Sequence, residues 1–299
     1  MKKRSTLTLF AFMTLFVALT SPVFAQKKGG GGGGGAAAAQ HTQAAMQAAQ
    51  AKNYDLAIAE FGKAIEAAPT SKNYTNRGIA YRSSGKLDLA IADFTKAIEL
   101  DSKDEVAYVN RGQTLLMQKQ YDPSVADFDK AVELKPDDPA AYFNRGLAEV
   151  DKADFDKAIA DLTKTVELKP DDALAYERRA FALRSQKKYD EAIADYGRAL
   201  EKKPNDPDFL TKRGYTYSLM SRYADAVPDY EAALKIRPDD YDTQQRLQYA
   251  KQRIAAANAP PATATPAPTP TPAGIFTPLN IGIGIAILII IFVIAVVMS

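Results

Sequence analysis

The sequence has no cysteine, no tryptophan and a single histidine, His41. Without cysteine there can be no disulfide framework, thiolate metal site or cysteine nucleophile, and no residue to carry a bacterial lipoprotein anchor. One histidine excludes a metal site built on several. Acids are missing before residue 29, and charge of either sign is missing from residues 259–299. The formal charge of the whole chain is only +2, which argues against a nucleic-acid partner. Setting aside the five basic residues before Gly29 leaves 33 basic and 36 acidic side chains in residues 29–258, a net charge of −3. The middle of the chain is therefore charged and slightly acidic, and its two ends are of another kind.

The first 25 residues predict a secretory signal. Lys2-Lys3-Arg4 is a basic start, Leu7 to Leu19 is a short apolar run, and Val23-Phe24-Ala25 ends in a small-residue cleavage pattern. Residues 26–39, with seven glycines from Gly29 to Gly35 and then four alanines, predict a flexible linker. Residues 259–279 are rich in Pro and Thr and predict an extended stalk. Residues 280–298 predict a transmembrane helix. Their 18 uncharged residues from Ile281 to Met298 would cover about 27 Å, close to one hydrocarbon core. No Lys or Arg flanks this run, so the signal sets the orientation, with the middle segment exported. A rival reading makes the apolar end a signal for replacement by a glycolipid anchor.

Between these ends lies a repeat. AIAEFGKAIEAAP at 57–69 recurs as AIADFTKAIELDS at 90–102, SVADFDKAVELKP at 124–136, AIADLTKTVELKP at 158–170, AIADYGRALEKKP at 192–204 and AVPDYEAALKIRP at 226–238. The step is 33 once and then 34 four times. The half before each copy recurs too, as YTNRGIAY at 74–81, YVNRGQTL at 108–115 and YFNRGLAE at 142–149. Ala90, Ile91, Phe94, Ala97 and Ile98 fall on one helix face, and Tyr74, Gly78 and Tyr81 form a second helical stripe. Gly85-Lys86 supplies a turn, and Asp138 before Pro139 supplies a helix start. Pro228 is expected in the first turn of its helix, where proline is tolerated. Two-helix units cannot bury their apolar faces alone, so they must stack. The length suggests two domains by a rough prior of about 150 residues each, but the repeat reduces this to one solenoid.

In this pattern the chain resembles the tetratricopeptide repeat family, over about residues 38–240. In the third unit Tyr108, Gly112, Phe128, Ala131 and Pro136 stand at the family's positions. Ser124, Leu162, Thr165, Ala180 and Ser102 depart from them. The resemblance implies an all-α, right-handed superhelical solenoid of about six helix–turn–helix units over residues 40–258, with residues 241–258 as a capping helix. The first helix of unit one is Ala/Gln-rich and is expected to fray or to act as an N-terminal cap.

The resemblance also implies that the first helices line a concave face. That face would carry Asn76, Asn110, Asn144, Arg178 and Lys212 at one register, and Thr75, Val109, Phe143, Glu177 and Thr211 at the next. Ile79, Gln113, Leu147, Phe181 and Tyr215 follow one turn along. The amides would hydrogen-bond a bound peptide, and Val109, Phe143, Leu147 and Phe181 would hold its apolar anchors. Arg77, Arg111, Arg145, Arg179 and Arg213 recur where the family often has an aliphatic residue. Their stems are expected between helices, with the guanidinium groups on acids such as Asp93, Asp127, Asp161 and Asp195. Thr75 and Ile79 stand where chaperone-binding members need Lys and Asn, so that partner class is not supported. The Asp pairs at 137–138, 171–172 and 239–240 lack the Gly and Glu of a calcium loop, and no phosphate loop is present. The chain is therefore expected to be a membrane-tethered scaffold for a protein or peptide partner, with no cofactor and no catalysis. A passive envelope spacer and, more remotely, an enzyme are the alternatives.

Overall fold

The computed structural model of the chain describes residues 34–259. The expected signal peptide, most of the Gly-rich linker, the stalk beyond its first residue and the apolar segment 280–298 lie outside the described residues. The chain divides into two units, 1–250 and 251–299, and of the second only residues 251–259 are described. No helix among the described residues is long and apolar enough to cross a membrane.

Those residues form thirteen α-helices and no strand. They are α1 (Gly34–Gln50), α2 (Tyr54–Ala67), α3 (Ser71–Ser83), α4 (Leu87–Leu100), α5 (Glu105–Met117), α6 (Tyr121–Leu134), α7 (Pro139–Asp151), α8 (Phe155–Leu168), α9 (Ala173–Ser185), α10 (Tyr189–Lys202), α11 (Pro207–Leu219), α12 (Tyr223–Ile236) and α13 (Tyr241–Asn258). Each odd-numbered helix up to α11 pairs with the even one after it, and each pair packs on the next, as a solenoid requires. First helices also touch one another directly, α3 on α5, α5 on α7 and α7 on α9. Second helices meet one another at most marginally. The stack in residues 34–250 therefore curves toward its first helices, which line the tighter, inner face.

Helix starts follow local chemistry. Asp104, Asp138, Asp172 and Asp206 each accept a hydrogen bond from a backbone N–H in the first turn of α5, α7, α9 and α11. Thr70 does the same for α3. Within each unit the connection bends through one residue of positive φ. Gly85 takes that place at +78°, and Lys52, Lys119, Ala153, Lys187 and Ser221 take it at 57° to 62° in the other units.

The core repeats one contact. The small residue of each first helix lies against a ring or branched side chain of the second. A Cβ on Gly78 would stand 2.6 Å from Phe94, on Gly112 2.9 Å from Phe128, on Gly146 3.0 Å from Leu162 and on Gly214 2.9 Å from Tyr230. Ala180 packs with Tyr196 in the remaining unit. At the end of the stack Leu247 and Ala250 of α13 cover Tyr230, Tyr217 and Tyr223.

Two local expectations are corrected. Helix α1 begins at Gly34, inside the expected linker, because Ala36–Ala39 are strong helix formers and Ala38, Ala45 and Ala48 are buried. Pro228 is the sixth residue of α12, not part of its first turn. The helix continues through it without that residue's N–H donor, while its neighbours Ala226 and Tyr230 are fully buried.

Candidate functional site

The recurrent arginines tie each hairpin together. Arg77 donates from Nε and Nη2 to the two carboxylate oxygens of Asp93 at 2.7 and 2.8 Å. Arg111 makes the same pair with Asp127, Arg145 with Asp161, Arg179 with Asp195 and Arg213 with Asp229. Each pair joins a first helix to the second helix of its own unit. Three of these arginines also reach back one unit with Nη1: Arg111 to Thr95, Arg145 to Asp129 and Arg179 to Thr163. Tyr74, Tyr108, Tyr142 and Tyr176 stack on the guanidinium groups 5.6–5.8 Å away. The carboxylates beside them raise the pKa of Arg77, Arg111, Arg145 and Arg213, and at Arg179 burial pulls down while Asp195 and its neighbours still raise it. This register holds the scaffold together and offers little to a ligand.

The asparagine register is partly occupied by the protein itself. Asn110 and Asn144 donate from Nδ2 to the carbonyls of Val106 and Ala140, four residues back on their own helices. Asn76 is buried and its Nδ2 has no partner among the described residues. In α9 and α11 the same register carries Arg178 and Lys212. Both lie at the buried carboxylate of Glu177, at 3.2 and 2.7 Å. Thr75 donates to Asp104, and Thr211 meets Thr243, so these positions link neighbouring units.

What remains on the inner face is arranged in diagonal rows. A step of 31 residues moves one unit along the stack and about one turn back on the next first helix. Arg82 Nη1 donates to Gln113 Oε1, and Gln113 Nε2 donates to Asn144 Oδ1, which forms the first row. Arg184, Tyr215 and Arg246 form the last, with each guanidinium 5.3 or 4.4 Å from the Tyr215 ring centroid. Arg184 also lies over Phe181, at 5.2 Å. The two rows between run Leu116, Leu147, Arg178 and Val150, Phe181, Lys212 at the same registers, each apolar for two places and ending on a cation held by Glu177. Leu147, Val150, Phe143 and Phe181 are half-buried, and Val109 and Leu147 lean on the Phe128 cluster. An apolar strip is thus bounded on both sides by polar rows.

The predicted site residues are brought onto one face, but in different roles. Phe143, Leu147 and Phe181 remain partly open, whereas Asn110, Asn144, Arg178 and Lys212 have intramolecular partners. Sequence reasoning missed Arg82, Arg184 and Arg246. The 31-residue step links Arg184 to Arg246 through Tyr215, and three 34-residue steps link Arg82 to Arg184. Burial of Arg82 away from any carboxylate pushes its pKa down to about 10, so it is still charged near neutrality. Burial likewise raises the pKa of Asp151 against the opposing pull of Arg178.

Stacked two-helix units with inner first helices define a helical-repeat solenoid. A family model described as TPR repeat matches residues 115–151 and 180–221. Two described as Tetratricopeptide repeat match residues 72–104, and residues 139–172 and 207–240. The chain belongs to the tetratricopeptide repeat family. Among solved structures it is similar to YrrB, reported as "a TPR protein with an unusual peptide-binding site". That likeness has 26% identity, covers 64% of this chain and 97% of YrrB, and has a TM-score of 0.55. It is similar also to MamA, with 25% identity, 57% and 94% coverage and a TM-score of 0.52. PilF of Pseudomonas aeruginosa shares the fold at 18% identity, with 74% and 99% coverage and a TM-score of 0.62. No curated protein sequence matches the chain.

Proposed function

We propose that this chain is a non-catalytic scaffold whose inner face binds a peptide segment of a partner protein. The observation that carries this reading is the half-buried strip of Phe143, Leu147, Val150 and Phe181 between two polar rows. Such a strip accepts apolar anchor side chains, and the flanking donors orient the segment. YrrB, the TPR protein with a peptide-binding site, lends support at 26% identity.

The partner would be held on the exported side of a membrane. The basic and apolar start at residues 1–25 and the uncharged apolar run at 281–298 support this part of the reading. Tethering would then raise the local partner concentration without any new contact. Alkaline carbonate extraction of cell membranes tests the anchor: the chain should stay in the pellet, and full release would remove the tether.

The binding test is selection of a random peptide display library on the immobilised full chain. Selected peptides should bind the native chain and lose at least about tenfold in affinity to Leu147→Glu/Phe181→Glu, with circular dichroism unchanged. No enrichment, or equal binding to both proteins, would favour the passive spacer.

A further inference from the structure

Two arginines on the inner face stand apart in their electrostatics. Every other arginine between Arg77 and Arg246 has a carboxylate oxygen within 4.0 Å, including Arg178, Arg198, Arg222 and Arg237. Arg82 and Arg184 meet none among the described residues. Arg82 is bonded to the neutral Gln113 alone. Arg184 is held by the rings of Phe181 and Tyr215 and has no hydrogen-bond acceptor among the described residues. Both are in the last turn of their helices, where the helix dipole favours a cation. That position accounts for a positive charge, but not for the absence of any acid beside a guanidinium that is largely buried at Arg82 and held between two rings at Arg184. A carboxylate brought to either place finds a guanidinium with no competing acid.

The two sites are related by the repeat. Arg82 and Arg184 hold the same position three units apart, in α3 and α9. One begins the first diagonal row and the other begins the last. The apolar rows of Leu116/Leu147 and Val150/Phe181 lie between them. Asn76, on the same helix as Arg82, adds a buried amide donor that lacks an acceptor. Glu177 does not compensate, because it is already engaged by Lys212 and Arg178, and Asp151 feels Arg178 rather than Arg82 or Arg184.

We propose that the bound segment has an apolar centre and an acidic side chain to each side of it, one paired with Arg82 and the other with Arg184. This rests on the peptide-binding reading above and specifies the partner's chemistry. A guanidinium–carboxylate pair in a partly dehydrated groove is among the stronger polar contacts available, and two of them set register along the strip. Residues 1–33 and 260–299 of the chain do not match, because they contain no Asp or Glu. The occupant is therefore an acidic–apolar–acidic segment of another protein.

The test uses labelled synthetic peptides with two glutamates on each side of a Leu-Val-Leu centre, joined by Gly-Ser spacers of graded length. A matched set carries glutamine in place of glutamate. Fluorescence anisotropy with the full chain should show the best-spaced glutamate peptide binding at least about tenfold tighter than its glutamine partner. The preference should shrink as salt rises. Arg82→Gln and Arg184→Gln should each remove part of the preference and leave the affinity of the glutamine peptide unchanged. Equal affinity of the two sets for the native chain overturns the proposal without any variant having to fold. So does a preference that survives both substitutions together. Self-association that Arg82→Gln abolishes would replace the peptide by a second copy and also overturn it. Library-selected peptides that bind while neither designed set does would sink this inference and leave the scaffold reading standing. A library that yields no binder removes the scaffold reading itself.

Discussion

Glu149 sits in α7 where the other first helices carry Tyr81, Leu115, Leu183 and Tyr217. Its side chain is 3% exposed, its Oε2 makes no hydrogen bond, and Lys152 Nζ is 4.0 Å away. Burial raises its pKa above the ordinary value of 4.5. The folded protein therefore holds this proton more tightly than the unfolded chain, and stability falls as pH rises from about 4.5 toward the raised value. Glu149→Leu should stabilise the protein by about 1–2 kcal/mol at pH 7, and by less at pH 4.5. Urea unfolding at the two pH values measures both. The arginine ladder makes the opposite case. Asp127 is 7% exposed beneath Arg111. Arg111→Leu should cost about 3 kcal/mol, because it strands that carboxylate, whereas Arg111→Leu with Asp127→Leu should cost much less. A double-mutant cycle in urea separates the two. The Arg–Asp pairing was legible because both residues recur with the unit. Pairing of Arg145 with Asp129 of the preceding unit was not, since the corresponding residues are Gly62, Thr95, Thr163 and Gly197 in four other units and acidic only as Glu231 in the last.

At the scale of helices, the 34-residue spacing and the apolar stripes carried nearly all of the architecture. The hairpin turns, the Asp caps and the capping helix lie where the residues predict. The turn register hides a detail, because only Gly85 advertises a left-handed residue and five other side chains adopt that conformation unannounced. Lys187→Gly should raise stability by about 1 kcal/mol, read as an upward shift of the thermal midpoint. The small residue of each first helix does the reverse, since its space is already taken. Gly78→Ala drives a Cβ to within 2.6 Å of Phe94 and should destabilise by about 1–3 kcal/mol. Adding Phe94→Leu should recover part of that loss, as Leu162 beneath Gly146 indicates. Unfolding of the single and double variants measures the coupling. The start of α1 and the place of Pro228 escaped sequence reasoning for one reason: packing overrode composition. Buried alanines carry α1 into the glycine run, and Ala226 and Tyr230 lock a helix around a proline.

At the scale of the solenoid, residues 34–250 build one face that is crossed by structural ties and another set of positions that is left partly open. The sequence pointed to the first helices, which line the inner face, but not to which side chains they leave free. Periodicity reports which residues share a register, and it is silent on whether their hydrogen bonds end on a neighbour or on a ligand. Asn110 ends on its own helix and Asn144 on its own helix and Gln113, whereas Phe143, Leu147, Phe181 and Tyr215 stay half-buried on the inner face. Hydroxyl-radical footprinting of the full chain, with and without a library-selected peptide, tests peptide binding on that face most directly. Protection of Phe143, Leu147, Phe181 and Tyr215 is predicted, with no change at Leu56 and Leu89, which are exposed on the second helices α2 and α4. Protection of Leu56 and Leu89 with no effect on the inner four would contradict the account.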